Sequence, residues 1–183
     1  MSGEKKHHLV RGILAGAGAG LAASWAMNVF MAGPGAKLHE LLETDGEQRQ
    51  EREQERQRQQ RGEPKIDATM KAADSITAAA TGGQHLSLEG KQKGGPIVHY
   101  GFGALMGALY GGLAEYSSAV RAGVGLGFGT ALFGAADLVA VPALHLSPPL
   151  RESPVKSLAT PFAAHLVYGA TTELLRRAFR AAI

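Results

Sequence analysis

The chain has 183 residues, 25 glycines, no cysteine and a formal net charge of +3. Without cysteine it has no disulfide staples, thiolate metal sites or cysteine nucleophiles. Its basic residues are not interleaved with aromatics, which argues against nucleic acid as a partner. The mean hydropathy of -0.06 averages two unlike materials, glycine- and alanine-rich apolar runs and one very polar segment from Glu40 to Lys93.

Residues 1–11 form a tail with Lys5, Lys6 and Arg11, and an apolar run over 12–32 follows. That run is longer than a signal-peptide core and is interrupted by Asn28 at its far end, so it reads as a retained helix of bilayer length. Gly33-Pro34-Gly35 stops it. Residues 33–94 read as a polar linker, with a short helix over Ala36 to Glu43. Gly46 to Arg61 contains no apolar residue, so it is either a solvated helix or disordered. From Pro64, the residues Ile66, Met70, Ala73 and Ile76 fall near one helical face. Pro64 suits that helix's first turn, Gly82-Gly83 its stop, and the membrane surface its resting place. Ser87 can cap the approach to a second span over 95–114, where Gly94-Gly95-Pro96 marks the start. A third span over 121–141 follows so soon that the two are expected to form an antiparallel hairpin. A turn over 142–157 with Pro142, Pro148, Pro149 and Pro154 leads to a fourth span over 158–177 and a tail over 178–183. The expected fold is therefore all-α: a polytopic membrane protein with four transmembrane helices and a polar linker.

Gly12, Gly16 and Gly20 recur every four residues, as do Gly103, Gly107 and Gly111, and then Gly125 and Gly129. Such a stripe lets backbones approach closely where lipid supplies no hydrophobic drive. The neighbour can lie in the same chain, in a second copy or in another membrane protein.

Four spans place both termini on one side. Lys5, Lys6, Arg11, Arg121, Arg176, Arg177 and Arg180 then lie near span ends on the terminal side. Lys37, Lys91, Lys93, Arg151 and Lys156 lie near span ends on the other, a modest bias that puts the termini in the cytoplasm.

Few polar groups interrupt the spans. At 1.5 Å per residue, Asn28, His99 and Asp137 each lie roughly 8 to 9 Å from the midplane, all towards the linker, and His165 roughly 4 Å out on the same side. Each span thus gives one member to a common layer. Asp137 is the costly one, since a carboxylate in hydrocarbon must be protonated, paired or wet, and His99 and His165 are its natural partners. The layer reads either as a proton or ion path or as an interhelical lock. On the opposite side, Glu173 is expected to pair with Arg176 or Arg177, and Glu115 with Arg121. Trp25 and Tyr168 sit too deep for an interfacial belt and are expected in the core, whereas Tyr116 fits the belt.

Two motif look-alikes fail on context. Gly18-Ala-Gly20-Leu-Ala-Ala23 matches GxGxxA but lacks the preceding strand of a dinucleotide site. His39-Glu40-Leu-Leu-Glu43 has a glutamate where a zinc-protease helix has its second histidine. No nucleophile elbow is present. The reading is of a protein without cofactor, metal or catalytic residues.

The stretches Gly95-Pro-Ile-Val-His-Tyr-Gly-Phe-Gly-Ala, Leu109-Tyr-Gly-Gly-Leu-Ala-Glu, Ala136-Asp-Leu-Val-Ala-Val-Pro-Ala-Leu and His165-Leu-Val-Tyr-Gly-Ala-Thr-Thr-Glu resemble the YagU-like family of small bacterial inner-membrane proteins. The resemblance covers spans two to four well and span one loosely, through Ser24-Trp-Ala-Met-Asn28. It implies a multi-pass bacterial inner-membrane protein of uncharacterised activity and supplies no catalytic residue. Two functions stay open: a structural or accessory membrane subunit, or a proton- or ion-conducting channel or transporter.

Overall fold

The computed structural model describes residues 2–147 and 155–183, with side chains over 8–147 and 156–183. Pro148, Pro149, Arg151 and Pro154 of the expected turn lie outside the described residues. Among the described residues every regular element is helical.

Helix α1, Ser2–Ala32, takes the polar tail into the first apolar run, and α2, Pro34–Leu42, restarts after Gly33 with proline in its first turn. Helix α3, Asp45–Gln60, settles the apolar-free segment as helix, with no residue buried. Its start is a capping box: Thr44 N–H donates to Glu47 Oε2 over 2.7 Å, and Glu47 N–H donates to Thr44 Oγ1 over 3.4 Å. Pairs four residues apart, such as Arg52 with Gln48 at 3.0 Å, support its length.

Helix α4, Ala68–Thr81, begins later than Pro64 because Asp67 is the effective cap: its Oδ1 accepts the Met70 N–H over 2.8 Å. It ends at Gly82, whose φ of 73° is left-handed. The centre of its apolar face is covered by protein rather than lipid, since Met70 and Ala73 are buried against Gly95 and Gly94, where an added Cβ would crowd them. Ile66 and Ile76 remain exposed.

Helix α5, Leu88–Tyr116, starts at the Ser87 cap and runs straight through Gly94-Gly95-Pro96, earlier than the expected residue 95. The proline is tolerated because Pro96 and Gln92, whose carbonyl loses its N–H partner, are both exposed.

The third span is the most altered. Ala122, Gly123 and Val124 leave helical geometry, with φ of 67° at Gly123, 53° at Val124 and 82° at Gly125, so the α-helix α6 covers only Leu126–Phe133. A π turn over Gly134–Ala140 and a short α7, Val141–Ala143, complete it. Pro142 has no N–H and crowds the carbonyl four residues back, and the preceding turn is widened: Val141 N–H reaches five residues back to Ala136 O. Helix α8, Ala159–Ala182, closes the chain.

Three helical stretches are long and apolar enough to cross a membrane: His8–Ala32, Leu88–Tyr116 and Ala119–Ala143. Helix α8 is not among them; Glu173, Arg176, Arg177 and Arg180 place four charges in its second half.

Helix α1 is the centre of the bundle, packed between α5 and α8, and α6 packs on the far side of α8. A Cβ at Gly12, Gly16 or Gly20 would overlap the backbone of Gly111, Gly107 or Gly103 respectively, so α1 and α5 run antiparallel with their chains in contact. Gly125 and Gly129 meet the carbonyls of Gly169 and His165 in the same way. Gly125 does so from the left-handed turn, not from a helical stripe. The expected hairpin of spans two and three is therefore not the packing unit: α5 is committed to α1 and α6 to α8, and the two meet mainly through rings such as Tyr110 and Phe128, 4.5 Å apart. Ala23, Leu132 and Tyr168 form the core. Trp25 is 62 % exposed, contrary to the core position expected for it, because α1 turns its glycine and alanine face inward and its bulky side chains outward.

Candidate functional site

Three members of the expected polar layer line one cavity of about 190 Å³: His99 from α5, Asp137 from the π turn and His165 from α8. Asn28 does not join them; it is exposed and donates to Tyr100 Oη over 3.2 Å. Helix α1 contributes Ser24 instead, one turn earlier, whose carbonyl faces His99 Nε2 at 3.4 Å. Helix α4 adds Thr69, so the linker forms one wall of the chamber.

His165 Nε2 lies 3.1 Å from Asp137 Oδ2, and His165 Nδ1 lies 2.9 Å from the carbonyl of Pro161. A carbonyl can only accept, so Nδ1 carries a hydrogen. One further proton must then sit between Nε2 and the carboxylate. The pair is either imidazolium with carboxylate or imidazole with carboxylic acid, and its net charge is zero in both. That lets it lie within an apolar span without the cost of a lone ion. Phe133 stacks edge-on against His165 with centroids 5.5 Å apart and fixes the ring. The π turn sets the angle at which Asp137 leaves its helix.

Sequence reasoning missed Thr69 and Ser24. The Asp67-x-Thr69 pattern at a helix start was the available signal for the first. Burial would raise the Asp67 carboxyl, but the Met70 N–H and the Thr69 hydroxyl hold it below its ordinary value, and the nearby His99 acts in the same sense.

The terminal end carries a second polar assembly. Glu173 is fully buried, and Arg176 Nε and Tyr110 Oη both donate to its Oε2, at 2.8 and 3.0 Å. Arg177 Nε donates to Oε1 over 2.6 Å, so Glu173 pairs with both expected arginines. Glu115, expected to pair with Arg121, bonds Arg180 Nε over 2.9 Å instead, and Arg180 also reaches His8 Nδ1 at 2.8 Å. The reason is geometric. Arg121 lies at the start of the broken turn, while α5 and α8 both pack on α1 and the long Arg180 side chain reaches across to Glu115.

The two assemblies are separated along α8 by residues 166–172, and the interior between them is filled. Ala19, Ala23, Tyr110 and Thr172 are 0 % exposed, and Tyr168, at 2 %, donates to Gly103 O over 2.6 Å. Among the described side chains the one buried polar atom without a partner is Thr160 Oγ1.

The family of proteins of unknown function designated DUF1440 matches residues 68–174. The chain belongs to the DUF1440 family. The match runs from the first residue of α4 to Leu174 of α8, and so takes in Thr69, His99, Glu115, Asp137, His165 and Glu173. No curated protein and no solved structure matches the chain. DUF1440 therefore supplies membership without an activity, and the chemistry has to come from the residues themselves.

Proposed function

We propose that this DUF1440 protein is a non-enzymatic, four-span protein of the bacterial inner membrane, with both termini in the cytoplasm, that acts as a structural or accessory subunit. Its likeness to YagU-like proteins is part of that reading. The observation that carries it is the dry waist between the two polar assemblies, where helices meet backbone to backbone and Tyr168 plugs the centre. A waist of that kind stabilises one arrangement of helices rather than a water-filled passage. Helix α8 counts as the fourth span because it packs antiparallel to α1 and α6, from His165 at one end to Arg180 at the other, and its charges collect at one end. On this reading Asp137 and His165 form a neutral lock between α8 and the third span.

One observation favours a second reading, a proton path: Asp137 and His165 lie 3.1 Å apart on the wall of a cavity that also holds His99. Proton flux into proteoliposomes driven by a pH gradient separates the two. The structural reading expects the wild type to match empty liposomes. Flux above that background, lost in Asp137→Asn, would overturn it in favour of the path.

A further inference from the structure

The terminal end holds more positive charge than the protein itself uses. A groove of about 490 Å³ is lined there by Glu115, Arg121, Arg176, Arg177 and Arg180, with Ala114 and Ala181 leaving room between them. We propose that this groove is a binding site for a phosphate-bearing anion, supplied by an acidic phospholipid headgroup or by free phosphate.

The argument is one of unspent donors. Both oxygens of Glu173 are taken up by Tyr110, Arg176 and Arg177, and both oxygens of Glu115 by Arg180. Among the described side chains that line the groove or bond its lining, two carboxylates thus face four guanidiniums, leaving two positive charges over. Arg177 uses only Nε in these bonds, its side chain is 53 % exposed, and the Arg121 side chain makes no hydrogen bond or ion pair among the described residues. Guanidinium forks converging on an open groove match the geometry of phosphate oxygens. The position fits a headgroup as well. Tyr116, 73 % exposed, stands beside Glu115, and Leu113 and Leu174 turn outward a little deeper, as at a lipid–water boundary. The headgroup source rests on the membrane reading above; the phosphate chemistry does not.

The test uses the full chain purified in an uncharged detergent, with lipid binding followed by native mass spectrometry. Short-chain phosphatidylglycerol is expected to bind about tenfold more tightly than phosphatidylcholine. Arg121→Ala should weaken phosphatidylglycerol about fivefold, with no change in lipid-free melting temperature, since the Arg121 side chain holds nothing in the fold. Arg121→Lys should recover most of the loss. Millimolar inorganic phosphate forms the second arm: displacement of the lipid supports the site and identifies free phosphate as its source, while retention supports it and identifies the headgroup. Equal affinity for the two lipids, or an Arg121→Ala variant that binds as the wild type does, overturns the proposal. A chain that stays in solution without detergent would instead overturn the four-span reading and leave the phosphate arm to be read by itself.

Discussion

At the terminal end of the bundle Glu173 is fully buried, its oxygens taken by two arginines and a tyrosine. At the linker end Asp137 keeps 34 % of its side chain exposed and faces one histidine beside a cavity. Both are carboxylates within the helical bundle, yet one is surrounded by fixed charge and the other has a single histidine partner. Charge-saturated burial makes a joint that cannot be altered without loss. A neutral pair held by one contact makes a joint that can be altered at little cost.

The largest expected effect tests the saturated joint. Glu173→Ala leaves the buried Arg176 with only the more distant Glu115, 3.9 Å away, and should cost about 3–5 kcal/mol of stability, read by thermal unfolding in detergent. A melting temperature within a degree of wild type would show that the terminal assembly is loose. The waist comes next. Gly16→Val would drive a side chain into the Gly107 backbone and should cost at least about 1–3 kcal/mol, whereas Gly127→Ala, with nothing within 4 Å of an added Cβ, should be nearly silent. Equal effects of the two would remove the distinction between packed and lipid-facing glycines. Asp137→Asn keeps the shape of the lock and should cost less than about 1 kcal/mol. A loss as large as that for Glu173→Ala would erase the comparison.

A smaller effect belongs to the clasp between α4 and α5. Asp74 accepts from Leu86 N–H over 2.7 Å and pairs with Lys91 Nζ at 3.0 Å, and the Lys91 bond is the main reason its carboxyl is lowered to about 2. A carboxyl depressed below its unfolded value of about 3.9 stabilises the fold fully above that pH, and the contribution fades as pH falls from about 3.9 to about 2. Hydrogen exchange at the Leu86 amide should accelerate, relative to neighbouring amides, across that window. Unchanged protection there would mean the clasp does not depend on the carboxylate. Glu53→Arg, on fully solvated α3, should change stability by less than about 0.5 kcal/mol.

The helical class, the apolar stretches and the gathering of His99, Asp137 and His165 were legible because period, length and rise per residue fix depth along a helix. What was not legible is which face each helix turns to which neighbour. Asn28 and Ser24 lie one turn apart on nearly the same face, and the axial position of α1 against α5 and α8 decides that Ser24 enters the chamber. The pairing of Glu115 with Arg180 rather than Arg121 depends on a break at 122–124 that glycine content hints at without locating. The π turn followed from Pro142, but its effect on Asp137 needs the backbone path itself.

The placement of α1 has a consequence for biogenesis. Its partners follow only after a long stretch of chain: α5 begins at Leu88 and α8 at Ala159. During synthesis the glycines from Gly12 to Gly20 therefore lack the partners they pack on until residues 33–87 have been translated. Pairing α1 with α5 and α8 therefore closes long loops, which costs more chain entropy than pairing neighbours in sequence. A ribosome-bound chain halted before Gly103 would hold an unpaired α1, open to capture by any neighbouring helix that offers a matching row of small residues.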